Sequence, residues 1–415
     1  MSRDPILFAG GKLFDGTVAP RDGMGVLIGD GRIAAVAPLA EFAGFAGRRV
    51  DTVGATLMPG LIDAHVHLAL EATGDVVSTL RQRPPGDLTL RLLENAQASL
   101  AGGFTAIRDL GGTDWLEISV REAIRQGRHV GPTLRCAGKV LTITGGHGAW
   151  IGLECDGPTA YTQGVRLNVK NGADCIKLMA TGGVLTGGVD PLAPHPTVAE
   201  LAAATATAHD FGLKVTAHAQ GARGIQRALE AGVDSIEHGF ELTDAIIETM
   251  LTNGTYLVPT LSAMMALLAM RDRLPAFVRD KADRFSAMHF DSFKRFVAAG
   301  GTVALGTDAG TPGNHHGQNA QELAHMVDLG MDPLAALVAG TANAATLLDL
   351  PYHGRIVSGA VADLLLVPGD PVADIHNAAD PARHLGLWKG GVAVARSVGR
   401  APAAFDPTPA SAAGF

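Results

Sequence analysis

The chain reads as an α/β protein: a (β/α)8 barrel over residues 58–352, with a small β-sandwich assembled from both termini, 1–57 and 353–405. Three observations predict this. From about residue 58 to 350, helix-like stretches alternate with short apolar, β-branched runs. The helical stretches close on glycine, at Gly102, Gly127, Gly172, Gly212, Gly232, Gly254 and Gly300, where a left-handed cap ends a helix. Polar residues of metal-binding type stand where several of the apolar runs stop: His65, His67, Lys177, His218, His238 and Asp308. A doubly wound open sheet would gather ligands at one switch point. Residues spread over the first, fourth, fifth, sixth and eighth strands favour a closed barrel, whose strand ends share one mouth.

The flanking elements follow in order. Ile6-Leu7-Phe8 and Met24–Ile28 read as strands, and Asp30-Gly31 turns the second into Ile33–Val36. Barrel strands are expected to end near His67, Asp109, Ala137, Ala180, His218, His238, Thr260 and Asp308. Beyond the barrel, Asp363–Val367 is a strand, and Leu387-Trp388 turns through Gly390-Gly391 into Val392-Ala393-Val394. Each flank has too few strands to stand alone, so the two are expected to combine. The Pro/Ala/Ser-rich end, residues 406–415, reads as a flexible tail.

Composition narrows the function. With 415 residues, 47% hydrophobic and 18% charged, the chain can bury a large core. A net charge of -8 and a pI near 6.0 argue against nucleic acid as a partner. No apolar run is long and charge-free enough to span a bilayer, and no signal peptide is expected from Met-Ser-Arg-Asp-Pro-Ile-Leu. Cys136, Cys155 and Cys175 are an odd count without metal-type spacing, which suits a reducing cytoplasm.

The six strand-end residues carry the chemistry. His65 and His67 lie two apart on a strand, so both imidazoles share one side and suit a zinc ion. Lys177 sits in the apolar run Ala173–Met179, where burial lowers an ammonium pKa; it either snorkels to the strand end or works as a neutral amine. His218 and His238 follow equivalent helix–Gly–strand units and so reach the same height, as ligands of a second metal. Asp308 ends the eighth strand, beside the first in a closed barrel, where it can ligate a metal and accept a proton from water. Together they describe two divalent metal ions and the hydrolysis of a bond in a small-molecule substrate.

This ordered set resembles the amidohydrolase superfamily, in the subtype whose binuclear centre is bridged by a carboxylated lysine. Ile143–Gly148, Met179–Val184, Ala217–Gly221 and Ser235–Gly239 resemble its prolidase-like and Xaa-Arg/Lys carboxydipeptidase branch. The resemblance implies two Zn2+-like ions, N6-carboxylation of Lys177 and a homo-oligomer. It also implies cleavage of the amide of a dipeptide or an N-acyl amino acid, bulky mycotoxin amides included. Asp308 would take a proton and pass it to the leaving amine. His147, in the Gly-rich loop after the third strand, either contacts the substrate carbonyl or carboxylate or braces its loop. Arg223 is a candidate partner for a substrate carboxylate, or a solvated residue at a helix start. His315 and His316 line the pocket or belong to the loop past Asp308. His129, His195, His209, His289, His325, His353 and His376 match no family position and read as structural. The glycines of Thr186–Pro191 suit a lid.

Other enzymes of this architecture fit the pattern less well: a deaminase, a lactonase or an imidazolonepropionase-like ring hydrolase. Lys177 argues against the mononuclear deaminases. A non-catalytic scaffold would have lost ligands, and all positions are filled.

Overall fold

The computed structural model describes residues 4–395. Its centre is a set of parallel strands, each after the first entered from a helix. β1 (Leu61–Val66), β2 (Phe104–Asp109) and β3 (Thr133–Cys136) form one parallel sheet in that order. β4 (Cys175–Met179), β5 (Lys214–Ala219), β6 (Ser235–His238) and β7 (Tyr256–Val258) continue a second, which begins with the short strands Gly152–Glu154 and Val140–Thr142. Every residue of β1, β2, β4 and β6 is buried. Parallel strands must be covered on both faces, which is why these segments are near-continuous apolar runs. The helices supply the cover. In Ala222–Glu230, for instance, Gly224, Ile225, Ala228 and Leu229 are buried while the remaining positions face outward.

Where a regular eighth strand was expected, the backbone takes another course. Residues 303–308 are not a strand, yet they bond on both sides. Leu257 N donates to Thr302 O (3.0 Å), Ala304 N to Leu257 O (3.0 Å) and Ala64 N to Leu305 O (2.8 Å). Crowding explains the irregularity: a Cβ on Gly306 would lie 2.3 Å from Val258 Cγ1 and 2.9 Å from His65 Cβ. On the other side, Asp174 N donates to Cys136 O (2.7 Å), linking β3 to the start of β4.

The glycine caps adopt positive φ at Gly127, Gly172, Gly212, Gly232, Gly254 and Gly300. After the helix Pro85–Ala101 the left-handed residue is Gly103 (φ 102°), one later than expected, because Gly102 N still bonds Ala98 O and prolongs the helical turn.

Both termini contribute to the remaining sheets. Arg32–Pro38, Met24–Gly29, Ile6–Ala9 and Arg48–Asp51 form a four-stranded sheet, with Gly29 paired to Arg32 across the Asp30-Gly31 turn. A five-stranded sheet runs Val392–Ala393, Gly386–Lys389, Leu364–Pro368, Ala55–Pro59, Lys12–Leu13. Leu366 faces Leu57 in its antiparallel register. Between the sheets Phe8, Val26, Ile28, Ile33, Leu57, Leu364 and Trp388 pack together, Phe8 edge-on to Trp388 at 4.8 Å. Residues 396–405 of the expected sandwich, and the expected tail 406–415, lie outside the described residues. Cys136, Cys155 and Cys175 are free and buried, and among the described residues no helix is long and apolar enough to cross a membrane.

Candidate active site

The C-terminal ends of β1, β4, β5 and β6 and the segment ending at Asp308 open onto one cavity, and His65, His67, Lys177, His218, His238 and Asp308 all line it. Imidazole ring centres are 5.3 Å apart for His65 and His67, 5.3 Å for His65 and His238, and 4.6 Å for His218 and His238. Asp308 Oδ1 lies 3.4 Å from Nε2 of both His65 and His67. His65, His238 and Asp308 offer ligand atoms within 4.8 Å of one another, and so could hold a metal ion.

Hydrogen-bond partners determine which nitrogen each imidazole presents. His67 Nδ1 is 3.0 Å from Gly111 O, a pure acceptor, so Nδ1 carries the proton and Nε2 keeps its lone pair. His65 Nδ1 meets Glu237 Oε2 at 2.6 Å, with the same result. Thr260 Oγ1 donates to Pro259 O (2.7 Å) and therefore accepts from His238 Nδ1 (2.7 Å), again freeing Nε2. His218 is reversed: Nε2 donates to Gly182 O (2.7 Å), leaving the lone pair on Nδ1. Burial holds His65, His218 and His238 well below the ordinary imidazole pKa and His67 at about 4. All four are neutral at pH 7, as metal ligation requires.

Lys177 is buried, and its Nζ has no hydrogen-bond partner among the described residues. Burial lowers its pKa, with Glu237 and Asp308 opposing. Asp308 moves the other way: burial raises its carboxyl pKa, against the pull of Lys177. An orphaned buried amine among four neutral imidazoles and a carboxylate fits a group that binds cations once it has become anionic.

Backbone strain gathers here too. His238 (φ 71°), Thr260 (φ 52°) and Asp308 (φ 59°) are left-handed without being glycine. Each costs about 1–2 kcal/mol, and each aims a side chain from a strand end into the cavity.

Beneath these side chains lies a shell that sequence reasoning missed. Glu237 accepts from His65 through Oε2. Its Oε1 accepts from Arg108 Nη2 (3.1 Å), Ser235 Oγ (2.9 Å) and Thr216 Oγ1. Asp63 accepts from His65 N (3.0 Å), Thr307 N (3.1 Å), Thr307 Oγ1 (2.6 Å) and Asn319 Nδ2 (2.7 Å), tying β1 to the segment that carries Asp308. Asp109 accepts from Leu68 N (2.7 Å) and Gly111 N (3.0 Å), and so sets the turn whose carbonyl holds His67. The available signal was a charge inside each apolar run: Asp63 in β1, Arg108 in β2 and Glu237 in β6.

The other expected site residues divide. His147 lines the cavity, its ring 4.5 Å from that of His218, with Nδ1 2.7 Å from Thr186 Oγ1; burial holds its pKa at about 3, so it is neutral. Arg223 is exposed in the first turn of Ala222–Glu230 and does not line the cavity, because its position lies on the outer face of that helix, opposite the buried Gly224 and Ile225. His316 also stays off the cavity wall. Its Nε2 sits 3.2 Å from His67 O, so it braces the backbone just past the end of β1. His315 is exposed. His289, expected to be structural, does line the cavity; it comes from the helix Ala276–Ala298, packs 4.5 Å from Phe240 and bonds Pro259 O through Nε2 (2.8 Å). The rest of the wall is largely apolar: Trp150, Val184, Leu185, Phe240, Met264 and Leu267. Asp308 is its sole carboxylate among the described residues.

Comparison with known proteins agrees with this geometry. The sequence matches the amidohydrolase family over residues 56–394. Ochratoxinase of Aspergillus niger is 31% identical over 368 residues, 81% of this chain and 75% of that protein. An Xaa-Pro dipeptidase solved with methionine bound in its active site superposes with a TM-score of 0.86 at 32% identity, covering 94% of this chain and 99% of that one. The A. niger ochratoxinase structure superposes at 0.84 with 29% identity, covering 94% and 95%. The chain belongs to the amidohydrolase family, in its prolidase-like branch, and is a hydrolase of carbon–nitrogen bonds.

Proposed function

We propose that this cavity hydrolyses the amide bond of a dipeptide or N-acyl amino acid with a neutral, apolar side chain, bulky aromatic acyl groups included. In this reading it works with two divalent metal ions, zinc by donor type. His65, His67 and Asp308 would hold one ion and His218 and His238 the other, and carboxylated Lys177 would serve both as a ligand. The observation that carries the reading is the unpartnered, buried Lys177 Nζ amid these groups. As a neutral amine it adds to carbon dioxide: the nitrogen–carbon bond forms, one proton leaves, and N6-carboxylysine supplies the missing anionic ligand.

Divalent ions bound there supply Lewis acidity, polarising a carbonyl and acidifying water. The protein's own groups do the rest. Asp308, with 13% of its side chain exposed and aimed at the cavity, accepts the proton of the attacking water. As the carbon–nitrogen bond breaks, it returns that proton to the departing amine. His147, neutral and fixed by Thr186, offers Nε2 to the substrate carbonyl or carboxylate.

The wall argues for the side chain. Among the described residues, a cationic arginine or lysine leaving group would find no carboxylate on the wall except Asp308, which is already engaged, whereas Phe240, Met264, Leu267 and Leu185 favour apolar bulk. The methionine held by the similar Xaa-Pro dipeptidase fits such a wall.

The same reading takes the two parallel sheets as arcs of one closed (β/α)8 barrel, joined through residues 302–305 and through Asp174–Cys136. It takes the two terminal sheets as one composite β-sandwich. A screen of zinc-loaded protein against N-acyl amino acids varied at the C-terminal residue tests the function. Release of phenylalanine, methionine or proline well ahead of arginine and lysine is expected. Preference for the cationic residues would overturn the side-chain assignment, and no hydrolysis of any amide would overturn the reaction.

A further inference from the structure

The segment 182–190 contains no helix or strand residue, yet it holds much of one side of the cavity in place. Gly182 O takes the proton of His218 Nε2, Thr186 Oγ1 bonds His147 Nδ1, and Val184 and Leu185 line the cavity. Gly183 is pressed so close to His147 that a Cβ there would lie 2.3 Å from the ring. A stretch this short of its own backbone structure needs an external tie.

Lys281 provides one. Its Nζ donates to Gly183 O (3.0 Å), Thr186 O (2.7 Å) and Val189 O (2.7 Å). An ammonium has three protons, and here each meets a carbonyl of this one segment. Lys281 stands on the helix Ala276–Ala298, which also delivers His289 to the cavity. One turn earlier on that helix, Phe277 approaches Gly187.

We propose that Lys281 is a positioning residue. Its ammonium clasps segment 182–190 against the helix Ala276–Ala298, and so holds His147 and the Val184–Leu185 wall over the substrate. The consequence for catalysis rests on the reading above, that the substrate occupies this cavity; the clasp itself does not. Without it the three carbonyls turn to water, Thr186 is free to leave His147, and the substrate meets an open wall. His65, His67 and His238 bond outside the segment and keep those bonds; His218 bonds into it only through Gly182 O, which Lys281 does not touch.

The test compares Lys281→Met and Lys281→Arg with the parent protein. Hydrogen–deuterium exchange is read over peptides covering 182–190, alongside metal content, KM and kcat. In Lys281→Met, exchange in 182–190 should accelerate while that of Leu364–Pro368 stays at the parental rate. Metal per chain should hold, and KM should rise about tenfold, the size of one lost charged hydrogen bond. Lys281→Arg keeps charge and donors but cannot meet three converging carbonyls, and should fall between. Parental exchange in 182–190 in Lys281→Met overturns the clasp even if no substrate is ever found. Equal acceleration across the whole chain overturns it too, since that is global destabilisation. Faster exchange with unchanged KM and kcat overturns its role in catalysis.

Discussion

Glu237 and His65 meet at 2.6 Å in the floor of the cavity, both fully enclosed, and the carboxylate is shared with Arg108 on its other side. The pair ties β6 to β1 and fixes the tautomer that turns Nε2 of His65 toward Asp308. Glu237→Gln would leave an amide donor facing the Arg108 guanidinium. We expect metal affinity to fall about 10–100-fold, the usual effect of losing a carboxylate behind a ligating histidine. Chelator competition followed by metal analysis measures it, and parental affinity would show that Glu237 does not orient His65.

Asp308→Asn keeps size and polarity but cannot take up a proton. Turnover should drop by roughly 10²–10⁴-fold, while near-UV circular dichroism stays unchanged. Residual activity within a few-fold of the parent would remove Asp308 from proton transfer.

Lys177→Ala deletes the amine on which the carbamate reading rests. Bound metal should fall below the parental stoichiometry, and added acetate or propionate should restore part of both metal and activity by occupying the vacated space. Undiminished metal in this variant would rule out a bridging role. In metal-free protein Lys177→Met, which keeps the buried stem and removes only the amine, should lose little stability, because an unpartnered buried amine contributes little to the fold.

Glu117 gives a pH signature separate from the ligands. Both its oxygens are buried without a hydrogen-bond partner among the described residues, and burial, reinforced by the Asp109 charge, pushes its carboxyl pKa up to about 8. A raised carboxyl pKa means the folded state holds the proton more tightly than the unfolded chain. This contribution to stability is therefore complete below about pH 4.5 and declines as pH rises toward 8. Glu117→Gln should flatten that decline. Chemical denaturation of both proteins at pH 5 and pH 8 checks it: identical slopes would refute the assignment.

Much of this was legible because its signals are local. A period of two placed His65 and His67 together, glycines marked where helices stop, and Asp30-Gly31 and Gly390-Gly391 turned the flanking hairpins. What escaped depended on distant partners. Glu237 reads as an ordinary charge until Arg108, 129 residues away, and His65, 172 residues away, close on it. His289 reaches the cavity from mid-helix, where no strand-end rule applies. Arg223 follows β5 closely in sequence, yet one helical turn carries it outward. His316 lies near Asp308 along the chain but bonds the backbone just past the end of β1. The segment 303–308 has the composition of a strand, but crowding at Gly306 and the left-handed turn at Asp308 break its regularity.

Ala55–Pro59 runs into β1 with a single residue between them, and its antiparallel partner is Leu364–Pro368. The strand that presents His65 is therefore anchored at its root by a segment some three hundred positions downstream. Proteolytic clipping in the loop before Leu364 would slacken that root and should silence the enzyme by loosening its hold on any bound metal first.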